Sequence, residues 1–142
     1  MNAKRIALVV VLLIFVLGCS TDKPRVCGTW RMVEGTYVGP DFTVLTNEEN
    51  RICYKILSDR HFSVIEMYPD NPDSNFFAAV GTYSLTDSVY IERYEASNIP
   101  SKMGEEFVFQ SQVKDKTWKI SLASEDMTLK ETWVCVSELP IN

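Results

Sequence analysis

Few residues in this 142-residue chain are of types that could do chemistry: four cysteines and one histidine. His61 stands in "SDRHF", two positions after Asp59, and an imidazole oriented by a carboxylate is the usual make-up of a general base. Two residues apart across a tight turn, such a pair more often stabilises the turn and the start of the next strand. No nucleophile elbow, phosphate-cradling glycine loop or histidine cluster accompanies it. Cys27, Cys53 and Cys135 contain no CxxC pair, so with one histidine a zinc site is not expected. No catalytic residue, metal or cofactor is expected, and an enzyme ranks last among the possible functions.

Cys19 has a different chemistry. Ahead of it lie Lys4 and Arg5, an apolar run from Ile6 to Leu17 and then Gly18, the three parts of a bacterial export signal. The run is short for a membrane span. "VLGC" reads as a lipobox, where a signal peptidase cuts before the cysteine and the thiol carries a diacylglycerol; the alternatives are an uncleaved anchor or an ordinary secretory signal. Palmitate-class acyl chains on one residue make a stable anchor, each buried CH2 contributing about 0.8 kcal/mol. The expected organisation is a signal peptide over 1–18, a lipidated cysteine and short tether over 19–27, and one domain over 28–142. Ser20 and Thr21 give no acidic inner-membrane retention signal, which favours the outer membrane of a cell envelope, facing the periplasm or the exterior.

Without Lys4 and Arg5 the 14 basic residues become 12, against 19 acidic, a net charge of −7. Phosphate binding needs clustered Lys and Arg, and none is visible, so nucleic acid is not an expected partner. Export to an oxidising compartment favours one disulfide and an odd thiol.

These residues must be positioned by strands. From Gly28 onward the chain shows short β-branched and aromatic runs divided by turn signals, with no 3.6-residue stripe. Eight strands are expected, at about 28–37, 51–58, 61–68, 77–85, 88–95, 105–113, 117–123 and 129–136. "SDRH", "TDS", "KDK" and "SEDM" have tight-turn compositions between them. Longer connections fall at 38–50, 69–76 and 96–104, the first able to hold a helical turn or an extra strand. Eight strands with hairpin links predict an antiparallel up-and-down β-barrel, because closure removes both exposed edges. Pairing of the first strand with the last brings Cys27 near Cys135, the expected disulfide, provided the chain bends before Gly28.

Alternation predicts an aromatic and aliphatic interior. Trp30 and Met32, Tyr54 and Ile56, Tyr83 and Leu85, Phe107 and Phe109, and Trp118, Ile120 and Leu122 each share a face. In the strand at 61–68, Phe62 and Val64 compete with Ile65 and Met67 for the interior. Glu34, Glu66, Arg93 and Glu131 are the polar residues that could face inward, with Arg93 pairing Glu131 or Glu34. Such a pair is either structural or a recognition site for a ligand head group. Tyr37, Tyr68, Tyr90 and Tyr94 are expected on outer faces.

"GTWRMVEG", "YKILSDRHFSVIEMY", "AAVGTYSLTDSVYIERYEAS" and "LKETWVCV" together resemble the lipocalin-like lipoproteins of Gram-negative bacteria. The resemblance implies a calycin-type barrel in which Trp30, after Gly28, plugs the closed end. For most such proteins it implies no established activity.

The expected function is non-catalytic binding of a small, largely apolar ligand in the barrel mouth, with Met32, Tyr54, Tyr83, Arg93, Phe107, Phe109 and Trp118 as candidate contacts. The alternative is a filled barrel that docks another envelope protein on its surface.

Overall fold

The computed structural model describes residues 26–71 and 76–136. The signal, Cys19 and most of the tether therefore lie outside the described residues. Nine strands follow one another: β1 (Gly28–Val38), β2 (Thr43–Asn47), β3 (Ile52–Leu57), β4 (His61–Met67), β5 (Phe77–Leu85), β6 (Val89–Ser97), β7 (Glu106–Lys114), β8 (Thr117–Ala123) and β9 (Thr128–Cys135). A single 3₁₀ turn, Pro100–Lys102, is the one helical element among the described residues.

Each strand from β3 to β9 pairs antiparallel with the next, and β1 closes the sheet between β3 and β9. This is the expected eight-stranded up-and-down barrel. β2 is the additional strand, in the segment where one was possible. The start of β1 pairs with β3, Gly28 opposite Leu57, while its end pairs with β2, Val38 opposite Thr43. On its other edge β1 pairs with β9 from Trp30 opposite Cys135 to Val38 opposite Thr128. β2 thus extends the wall at one rim, where β3 has already left β1.

The two ends of the barrel differ. At the closed end, Trp30, Met32, Phe62, Tyr90, Trp118 and Trp133 are all buried. Trp118 meets Trp30 edge-on at 5.5 Å and Tyr90 at 4.8 Å, the offset geometries that ring quadrupoles favour. The Trp30 Nε1 donates to the Val26 carbonyl at 2.7 Å, and the Trp118 Nε1 to the Ser111 hydroxyl at 3.0 Å. Val26 itself is buried, so packing begins two residues before β1.

Two irregularities set which side chains face in. A bulge between Met32 and Glu34 adds one residue to β1 and reverses its phase. Glu34, inward by strict alternation, is therefore exposed, and Gly35 and Tyr37 turn inward instead. A second shift, between Val80 and Gly81, brings β6 so close that a Cβ on Gly81 would lie 1.9 Å from the Arg93 carbonyl oxygen. Backbone cannot yield as a side-chain tip can. Gly81→Ala should therefore destabilise the barrel by about 2 kcal/mol, within the range for overpacking, as read by urea denaturation; an unchanged midpoint would contradict this account.

Candidate functional site

The barrel interior opens at the end away from Trp30 as a cavity of about 320 Å³. Cross-strand pairing explains who lines it, because directly opposed residues share a face. Trp30 faces in and is opposite Lys55, which is opposite Val64, which is opposite Ala79. Lys55 is therefore inside, 3% exposed. Tyr54 and Ile56 are correspondingly displaced outward, Ile56 being 55% exposed, against the alternation drawn for that strand. The strand holds apolar residues on both faces, so its own pattern could not decide. The register also resolves β4: Phe62 and Val64 face in, Ile65 and Met67 out.

β6 likewise turns inward the face opposite to the one expected. Arg93 lies opposite Thr82 and Glu106 on the outer surface and is exposed, so it pairs with neither Glu131 nor Glu34 inside. Its neighbours Tyr90, Glu92 and Tyr94 are the buried set. The Tyr–Glu–Tyr spacing was the available signal, two aromatics bracketing one carboxylate on a single face.

Inside, charge is neutralised by charge. Lys55 Nζ bonds the Glu92 carboxylate, which also accepts from the Tyr90 hydroxyl at 2.7 Å. The same ammonium lies 4.9 Å from the Trp133 ring centroid, 5.3 Å from Tyr90 and 5.5 Å from Trp118, a cation held over ring faces. Nearer the mouth, Arg51 bonds both the Tyr37 hydroxyl and Glu66, and its guanidinium lies 4.7 Å over the Tyr37 ring. Glu66 also accepts from the Tyr68 hydroxyl at 2.7 Å. Arg51 Nε is buried without an acceptor among the described residues. The third interior carboxylate, Glu131, accepts from the Tyr37 hydroxyl at 2.6 Å and from Trp133 Nε1 at 3.0 Å.

Of the candidate contacts, Phe107 and Phe109 line the cavity with Tyr94, Leu122 and Leu129. Met32 and Trp118 are packed beneath it at the closed end. Tyr83 is half-buried there, its hydroxyl donating to the Ser58 carbonyl at 2.5 Å. Tyr54 and Arg93 are outside. Tyr37, Tyr90 and Tyr94, expected on outer faces, belong to the interior, and sequence reasoning missed Arg51, Lys55 and Glu92 entirely. His61 is exposed on the outer row opposite Thr82, away from the cavity. Its amide bonds the Ser58 hydroxyl at 3.3 Å, and Asp59 receives the Cys27 thiol at 3.7 Å.

No disulfide joins Cys27 to Cys135. β9 ends opposite Trp30, and before Gly28, whose φ is 135°, the chain swings towards the β3–β4 turn. Cys27 lies there, within 3.3 Å of the Ser58 carbonyl. No cluster of three His, Cys, Asp or Glu side chains able to hold a metal occurs among the described residues.

Burial raises the proton affinity of the interior's neutral acids. The Cys53 thiol is pushed up from 9.0 to about 12 by desolvation first and by the Glu131 charge second. The Tyr37 hydroxyl is raised by burial and then Glu131, and those of Tyr90 and Tyr94 by burial and then Glu92.

No protein-family model and no curated protein matches the chain. Among solved structures, an uncharacterized protein from Bacteroides eggerthii DSM 20697 is similar over 75% of this chain and 97% of its own, with 16% identity and a TM-score of 0.45.

Two outcomes are expected. Lys55→Met or Glu92→Met alone should cost about 3–5 kcal/mol by leaving a buried charge unpaired, whereas the double variant should recover to within about 1 kcal/mol of the parent in urea titrations. Groups whose folded pKa is raised stabilise fully below their ordinary pKa and lose that contribution as pH rises. The Tm should therefore fall as pH climbs from 9 to 12, the window between the ordinary and folded values of Cys53. A Tm level across that window would refute the buried-acid account.

Proposed function

We propose that the chain is a lipid-anchored, lipocalin-like carrier that holds a small, largely apolar molecule in the mouth of its barrel and performs no catalysis on it. The observation that carries this reading is the cavity of about 320 Å³, walled near the mouth by Phe77, Phe107, Leu122, Met127 and Leu129. An eight-stranded barrel can be filled by its own side chains or hold one small ligand, and the unfilled upper half favours the second. The size suits a ligand of one ring and a short chain. Lipidation at Cys19 would supply the membrane contact and the placement in the cell envelope, most simply at an outer membrane. Val26, the first described residue, is buried and accepts from Trp30 at the closed end, away from the mouth.

A second reading, docking of another envelope protein on the outer wall, draws on a different observation. Ile56, Ile65 and Val80 are each about half exposed on the outer face of β3, β4 and β5, with Ser63, between Ile56 and Val80, in the same rows. Such an apolar stripe suits a partner surface.

Native mass spectrometry of the full-length protein, purified gently from the cells that make it, separates the two. A retained small molecule is expected. An apo mass, together with failure to bind added fatty acids, sterols or aromatic probes, would sink the carrier reading and shift weight to the outer wall.

A further inference from the structure

We propose that the cavity recognises the ammonium group of a small organic amine, with Glu131 as its counter-ion and the rings of Tyr94, Phe107 and Trp133 beside it. This rests on the carrier reading and names the ligand's chemical class. Three carboxylates line the cavity, Glu66, Glu92 and Glu131. Two have their own cation in contact, Arg51 for Glu66 and Lys55 for Glu92. In both cases the cation also lies over at least one aromatic face, Arg51 over Tyr37 and Lys55 over four rings within 6.0 Å. The barrel thus twice pairs an interior carboxylate with a cation that lies over an aromatic face, a guanidinium over one ring and an ammonium over four.

Glu131 supplies the third carboxylate without a cation in ion-pair contact among the described residues. Its partners, the Tyr37 hydroxyl and the Trp133 indole N–H, are neutral and use about two of its four acceptor positions. Arg51, Lys55 and Lys102 also line the cavity, but none is in ion-pair contact with Glu131, so its carboxylate stays open to a ligand cation. Its charge is felt by the groups around it, adding to burial in raising the Tyr37, Cys53 and Tyr94 protons. The cavity's ring faces suit a cation: Tyr94 and Phe107 lie 4.9 Å apart, and at the rim Lys102 Nζ rests 5.3 Å over Phe107. Arg51 Nε, a buried donor without an acceptor, lies on the guanidinium that shares the Tyr37 hydroxyl with Glu131, and would reward an oxygen on the same ligand.

Three probes of one shape and different charge test this: 2-phenylethylamine, 2-phenylethanol and 3-phenylpropionate, titrated into the purified full-length protein by calorimetry. The amine should bind at least tenfold tighter than the alcohol, and the carboxylate weakest. Glu131→Gln, an isosteric change whose folding is checked by its Tm, should shrink the amine's advantage below threefold. Phe107→Leu, which keeps the volume roughly and removes a ring face, should shrink it in part. The inference is overturned if the carboxylate binds as tightly as the amine, if the advantage survives Glu131→Gln, or if none of the three binds. In that last case a small molecule retained by the host-purified protein would still support the carrier reading, so the two failures are told apart.

Discussion

An eight-stranded barrel is narrow enough that a charge pointing inward from one wall can be neutralised from the opposite wall. The Lys55–Glu92 pair does this. Lys55 comes from β3 and Glu92 from β6, strands that do not pair with each other, and their carboxylate–ammonium contact spans the interior. The surrounding architecture is consistent with it. Trp118, Trp133, Tyr90 and Phe62 place ring faces rather than alkyl groups against the ammonium, and the Tyr90 hydroxyl takes a second position on the carboxylate. Burying two charges is not in itself a source of stability, since an apolar pair of equal volume can do as well. It does specify one register for β3 and β6, because a slip of one residue would expose one partner and strand the other.

Above this layer the interior changes character. The closed end is filled by interlocking indoles, with Trp30 tied to the Val26 carbonyl. The open half keeps space, and its polar groups form a chain running from Tyr68 through Glu66, Arg51 and Tyr37 to Glu131 and Trp133. A hydrogen-bonded chain of this kind holds its members in one arrangement. The packed floor and the hydrogen-bonded wall together bound the open half of the barrel.

β1 is where the geometry is most particular. It has three partners, β3 along its start, β2 along its end and β9 along its whole opposite edge. The bulge at Met32 to Glu34 lets the strand serve the packed end with Trp30 and Met32 and the polar end with Tyr37, on one inner face. Without the extra residue, Glu34 and Thr36 would point inward and the Arg51–Tyr37–Glu131 chain could not form.

The all-β class, the positions of eight strands, the tight turns and the closure of the first strand onto the last were legible in the sequence, because turn chemistry and the avoidance of open edges are local or topological rules. Phe107, Phe109, Trp118 and Ile120 were legible for the same reason: the other faces of their strands are mostly polar, with Val108 the large apolar exception. Ile52 to Leu57 and Val89 to Ser97 carry large side chains on both faces, and there alternation is silent. Which face turned inward was decided by the residue across the ladder, Trp30 for Lys55 and Tyr83 for Glu92. The bulge, β2, the separation of Cys27 from Cys135 and the meeting of Lys55 with Glu92 depend likewise on register between segments distant in the chain. Strand identity is written in neighbouring residues, whereas the charged interior exists only once the sheet has closed.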